Sequence, residues 1–193
     1  MHKNIKDVYK MEIFMPERQK DKLVHILKNT NNYLEFGCGG STIAASKYIK
    51  GIGFSIESEK KWSKKVENEI NYKITMIHID IENIDNTWGY PGENCPREKM
   101  EKYSKINNII KLDEIDTILI DGRFRVSCAL QIHRDIKESA IVIVDDFFSR
   151  EHMYGEILNY YTIYEKVCSM AILKKKNVSI PESVYEKYLY DPK

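Results

Sequence analysis

Short, β-branched apolar runs alternate along this chain with longer stretches whose apolar positions recur at helical spacing. Residues 16–29 (PERQKDKLVHILKN) predict a helix, with Pro16 tolerated in the first turn and Leu23, Ile26 and Leu27 on one face. Tyr33–Phe36 predicts a strand running into a glycine turn, after which Ser41 or Thr42 is placed to cap a helix reaching about Ile49. Gly53–Ile56 and Lys73–Ile79 predict two further strands, with an amphipathic helix over Glu59–Ile70 between them. A turn-rich segment, 86–96, precedes a polar helix over about Arg97–Ile110. Thr117–Ile120 and Ala140–Val144 are continuous apolar runs, as expected of strands covered on both faces, and a helix from Arg123 to Lys137 joins them.

A helix near Glu151–Tyr160 leads to two β-rich runs, Thr162–Val167 and Met170–Leu173, which lie too close together for a helical crossover and so pair antiparallel. Pro181–Leu189 reads as a short helix or a surface wrap. Repeated strand–helix units predict an α/β protein with a Rossmann-like, doubly wound sheet and an antiparallel ending. The 193 residues suit one domain over 1–193, with 1–15 an N-terminal segment available to a lid over the substrate.

Charge narrows the function classes. Lys and Arg number 30 against 29 Asp and Glu, a formal net of +1. Salt-sensitive binding to a polyanion draws on a surplus of positive charge, so nucleic acid is a poor candidate partner. The runs Lys60–Lys61 and Lys174–Lys176 read as solvated faces. No stretch approaches the roughly 20 apolar residues that span a bilayer. The N-terminus lacks a signal-peptide core, and a cytoplasmic protein is expected. Cys38, Cys95, Cys128 and Cys168 form no CxxC pair, which argues against a disulfide framework or a zinc site.

Candidate chemistry begins at Glu35-Phe36-Gly37-Cys38-Gly39-Gly40-Ser41-Thr42, where a strand hands over to a helix. Glycines there let a ligand approach the backbone, and the helix start offers N–H groups to it. Glu57 ends the next strand, where ribose hydroxyls are held in doubly wound folds. A nucleotide-type ligand follows from that combination. The turn departs from the dinucleotide pattern G-x-G-x-x-G, because Thr42 stands where the last glycine belongs.

With its acid before the glycines, this turn resembles motif I of the class I S-adenosylmethionine-dependent methyltransferases. The later strand pattern also fits that family's seven-stranded sheet with a reversed last strand, so the resemblance covers nearly the whole chain. It implies S-adenosyl-L-methionine as cofactor. Glu35 and the backbone of Gly37, Cys38, Gly39 and Gly40, with Ser41 and Thr42 beyond, would face its amino-acid end. Glu57 would take the ribose, Asp80 would lie near the adenine, and Asp121 would lie near the methyl group. A helix cap or a loop acid is an equal reading of Asp80.

Ile120-Asp121-Gly122-Arg123-Phe124-Arg125 and Val144-Asp145-Asp146-Phe147 both follow apolar strands. Ligands of doubly wound sheets bind beyond the carboxyl ends of the strands, so Asp121, Asp145 and Asp146 are expected at one edge. Carboxylates brought together repel unless a cation or proton intervenes, and a hard divalent ion with oxygen ligands resolves the conflict. The arrangement resembles metal-dependent small-molecule O-methyltransferases of the catechol and macrolide-sugar type, in which acids after the fourth and fifth strands hold Mg²⁺. The longer string also resembles small bacterial and viral methyltransferases, some associated with glycan decoration. Mg²⁺ or Mn²⁺ on Asp121, Asp145 and Asp146 is therefore expected, with helix capping the plainer alternative. An ion chelated by two neighbouring substrate oxygens would make a hydroxyl more acidic and fix its orientation.

Asp121 and Asp146, with Arg123 and His152, are the candidate catalytic residues. Arg123, Arg150, Tyr154 and Trp88 are the candidate acceptor-binding residues. Arg125 reads as site or surface, and Tyr90 beside Trp88 as lid or packing. His2, His25, His78 and His133 form no metal-binding spacing; His78 and His133 read as packing residues. The expected activity is O-methylation of a small-molecule hydroxyl, foremost a sugar or glycan with a vicinal diol. A homodimer is left open. The alternatives are a non-catalytic S-adenosylmethionine-binding subunit and an NAD-dependent oxidoreductase.

Overall fold

The structure, a computed structural model, describes residues 11–84 and 87–193. His2, the first ten residues of the proposed lid segment, and residue 86 of the turn-rich loop lie outside the described residues. The chain runs α1 (Glu17–Asn29), β1 (Tyr33–Phe36), α2 (Gly40–Tyr48), β2 (Gly53–Glu57), α3 (Lys60–Glu67), β3 (Ile74–His78) and α4 (Arg97–Ser104). It continues with β4 (Thr117–Ile120), α5 (Arg125–His133), β5 (Ile141–Val144), α6 (Glu151–Tyr154), α7 (Ile157–Tyr160), β6 (Tyr161–Val167), β7 (Met170–Lys175) and α8 (Glu182–Tyr188). The seven strands form one sheet in the order β3-β2-β1-β4-β5-β7-β6, parallel except where β7 pairs antiparallel with β5 and β6.

Alternating residues of the central strands feed two cores, one on each face of the sheet. Leu34, Phe36, Ile118, Ile120, Val142 and Val144 point into one core, and Tyr33, Leu119 and Ile143 into the other. Leu23, Ile26 and Leu27 of α1 pack on the second, as their helical spacing predicts. Each such aliphatic side chain removed from water contributes roughly 1.5–3 kcal/mol.

Several predicted helices are longer than the real ones, for local reasons. The helix expected to reach Ile110 stops at Ser104, and Ile106 and Ile110 turn into the core through the irregular Asn107-Asn108 stretch. The helix expected over Glu151–Tyr160 is split around Gly155, a poor helix former. Helix α5 starts two residues later than expected because Phe124 takes a left-handed conformation (φ 55°). Neither Ser41 nor Thr42 caps α2 from outside: the helix already begins at Gly40, and Thr42 Oγ1 accepts the Gly39 N–H from within it.

Other expectations resolve against the packing. His133 is buried against Tyr160 and Tyr161, whereas His78 is exposed on the edge strand β3. The lysine run 174–176 is spent on main-chain carbonyls: Lys174 donates to Ser139, Lys175 to Ile136 and His133, and Lys176 to Leu158. All four cysteines are free. Among the described residues, no helix is long and apolar enough to cross a membrane.

Candidate functional site

Strand order reverses between β1 and β4, and the crevice at their carboxyl ends is where doubly wound sheets take ligands. The glycine turn leaves β1 at this point. Gly37 has φ +88°, and a Cβ there would stand 2.7 Å from the Gly122 nitrogen, so the turns after β1 and β4 touch backbone to backbone. Nothing lies within 4 Å of the Cβ position at Gly39, so the turn has open space above it. The backbone of Glu12 and Ile13 crosses Gly40, which places the described end of the N-terminal segment against the start of α2.

Glu35 does not line that space. It lies on the sheet face covered by α2, wholly buried, and Ser41 and Thr42 hydroxyls donate to its two oxygens, with Thr42 at 2.6 Å and Ser55 from β2 at 3.3 Å. Burial pushes its pKa up to about 8 against the lowering effect of those hydroxyls. Glu35, expected to face the cofactor's amino-acid end, is thus held beneath the turn by Ser41 and Thr42. Glu57 sits closer to the opening. Its carboxylate accepts the Cys38 N–H at 3.0 Å and the Ser58 and Glu59 N–H groups at 2.7 and 2.8 Å, tying β2 to the glycine turn. The Cys38 carbonyl is held by the Trp62 indole at 2.7 Å, and burial raises the Cys38 thiol pKa. Asp80 is exposed beyond β3, paired with Lys99 at 2.9 Å, which lowers its pKa. It behaves as a loop acid.

Sequence reasoning placed Asp121, Asp145 and Asp146 together, and the structure does bring them to one edge. It also supplies their cation. Arg125, from the first turn of α5, is 5% exposed and inserts between the ends of β4 and β5. Its Nη2 donates to Asp121 Oδ1 and to the Asp121 carbonyl at 3.1 Å, and its Nη1 donates to the Asp145 carbonyl at 2.6 Å. Its Nε donates to Gly122 O at 3.0 Å, and Asp146 Oδ2 is 3.8 Å from Nη1. The guanidinium stacks over the Tyr154 ring at 5.8 Å. Arg125 fills the role that the sequence reading gave to Mg²⁺ or Mn²⁺. Among the described residues, no three acidic, histidine or cysteine side chains group to hold a metal ion, so this donor set does not fit the divalent centre expected of Asp121, Asp145 and Asp146.

Burial raises the pKa of both Asp121 and Asp145, the neighbouring acids add to it, and Arg125 opposes it. Asp145 Oδ1 is buried without a partner among the described residues, whereas Asp121 keeps 34% of its side chain open. Asp146, in a left-handed conformation (φ 57°), pairs with Arg150 at 3.2 Å, and Arg150 donates to Tyr154 Oη at 3.3 Å. Tyr154, expected to bind the acceptor, is fully buried and accepts from Arg150. Arg123 lies over the Tyr90 ring at 5.7 Å, under the loop that follows β3. Trp88 in that loop is 84% exposed, whereas Tyr90 packs against Arg123. His152 is exposed on α6, with no hydrogen bond or ion pair to the acids among the described residues. Sequence reasoning left Arg125 open between the site and a surface ion pair; the structure places it at the site, as electrostatic support for the carboxylates.

No family model and no curated protein matches this sequence. Solved structures do. A methyltransferase-like protein from Silicibacter pomeroyi superposes with a TM-score of 0.83 over 94% of this chain and 98% of its own, at 21% identity. This is the class I methyltransferase fold. A tRNA (m1A58) methyltransferase from Aquifex aeolicus gives a TM-score of 0.58 at 12% identity, over 85% of this chain and 70% of its own. An RNA methyltransferase from Salinibacter ruber, in complex with S-adenosyl-L-homocysteine, gives 0.50 at 12% identity, over 87% of this chain and 96% of its own. The class I fold accounts for the strand order and the reversed β7, and it hosts many acceptors.

Proposed function

We propose that this chain transfers a methyl group from S-adenosyl-L-methionine to a hydroxyl of a small molecule, with sugars and glycans as the acceptor class. The observation that carries the reading is the crevice at the strand-order reversal, where the open glycine turn meets the partly open carboxylate of Asp121. The bound cofactor supplies an electrophilic methyl on a sulfonium. Glu57 and the Gly37–Gly40 backbone orient its ribose and amino-acid ends, and Asp121 contributes negative charge on the methyl side. Asp121 takes the hydroxyl proton: a raised carboxyl pKa brings a base closer to neutral operating pH, where general-base catalysis is most effective. Arg125 keeps that carboxylate aimed and screens it from Asp146. No divalent ion enters this scheme, because Arg125 and Arg150 already meet the charge of Asp121 and Asp146.

Calorimetric titration with S-adenosylhomocysteine and with NAD tests the reading. Micromolar binding of the former and none of the latter is expected; the reverse outcome, or no binding of either, overturns it. A radiolabelled methyl group then identifies the acceptor class, with Asp121→Asn expected to keep cofactor binding and lose transfer. Cofactor binding without transfer to sugars, phenols or small acids would favour a non-catalytic subunit instead.

A further inference from the structure

Three arginines follow β4 and β5 at the crevice, and two of them are spent. Arg125 is committed to Asp121 and to the main chain, and Arg150 to Asp146 and Tyr154. Arg123 makes no ion pair and no side-chain hydrogen bond among the described residues. Its Nε is buried without any acceptor among the described residues, and its guanidinium rests on the Tyr90 ring at 5.7 Å. A guanidinium is always charged and offers donors only, so a buried N–H left unmade is a standing cost that a ligand acceptor removes. Tyr90 holds the fork on one face, which restricts its rotamers before anything binds. A pre-positioned planar fork matches a carboxylate or phosphate bidentately.

Resting on the methyl-transfer reading above, we infer that Arg123 is the anion-recognising residue of the acceptor site, and that the acceptor carries a carboxylate or phosphate near its reacting hydroxyl. The surroundings favour an anion over a neutral hydroxyl. Burial lowers the Arg123 pKa, and the like charges of Arg125 and Arg150 lower it further, so an anion set beside this guanidinium relieves both costs. Asp121 and Asp146 are already paired with Arg125 and Arg150, which leaves Arg123 as the guanidinium of the three with no acid partner among the described residues. A cationic cofactor beside them adds to the attraction for an anion.

The test titrates protein saturated with S-adenosylhomocysteine with glucuronate, glucose 6-phosphate and glucose. At least one of the two anions is expected to bind about tenfold more tightly than glucose, as a charge-assisted hydrogen bond allows. Arg123→Gln should abolish that advantage, and Arg123→Lys should retain part of it by keeping the charge without the fork. Which anion wins separates a uronate-type from a phosphorylated acceptor. Equal affinities, no binding by either anion, or a preference that survives Arg123→Gln would overturn the inference. Should S-adenosylhomocysteine itself fail to bind the wild type, the methyl-transfer reading falls instead, and that result is read first.

Discussion

Arg125→Gln tests whether a guanidinium holds this crevice together. The side chain is 5% exposed and gives four hydrogen bonds to Gly122, Asp121 and Asp145. Removing one partner of a buried ion pair costs about 3–5 kcal/mol, because the remaining charge and carbonyls are left without partners. Asp121 and Asp146 are 34% and 35% exposed, and water compensates part of that loss. The lower end, about 3 kcal/mol, is therefore expected, which in a chain of this size lowers Tm by roughly 6–12 °C. The loss should also depend on pH. Asp121 has its folded pKa raised above the unfolded value, so its contribution to stability is full below the unfolded pKa and is lost as pH rises through the folded one. Arg125 opposes that rise, so the variant's Asp121 titrates at higher pH still. The gap in Tm between wild type and variant should thus be widest near about pH 8 and shrink towards about pH 5. Differential scanning calorimetry across that range measures both quantities. A gap under about 2 °C at the alkaline end, or one independent of pH, would refute the claim that Arg125 neutralises the acids.

Glu35→Gln should barely change Tm near about pH 4.5 and should raise it progressively up to about pH 8, where the gain levels off, because burial lifts the Glu35 pKa from 4.5 to about 8 and wild-type stability is lost across that window; thermal melts against pH decide. Gly37→Ala should destabilise the fold by more than about 1 kcal/mol and abolish S-adenosylhomocysteine binding, since the new Cβ stands 2.7 Å from the Gly122 nitrogen at φ +88°. Urea unfolding and calorimetry report the two effects separately. Trp88→Ala should stay within about 0.5 kcal/mol of wild type in the same unfolding assay, because the ring is 84% exposed.

Hydrophobic patterning along the chain was sufficient for the architecture. Ile118, Leu119 and Ile120 are apolar without alternation, which is the mark of a strand covered on both faces, and the short interval between β6 and β7 leaves only antiparallel pairing. Helix ends were less legible, since they depend on backbone conformations such as the left-handed Phe124 that neighbouring contacts impose. Site residues divided in the same way. Acids at strand ends are readable because a strand end has a fixed place in a doubly wound sheet, and Asp121, Asp145 and Asp146 were found by that rule.

What each carboxylate meets is a matter of three dimensions. Glu35 and Glu57 both end up beside the glycine turn, yet one alternates onto the α2 face beneath Ser41 and Thr42 and the other reaches the Cys38 backbone. Acidic residue types at strand ends announce a need for compensating charge, and sequence by itself determined that much. Whether the compensation is an ion, a proton or an arginine was decided by packing. A guanidinium on the first turn of α5 lies within reach of the ends of both β4 and β5, and only the tertiary fold brings those three termini together.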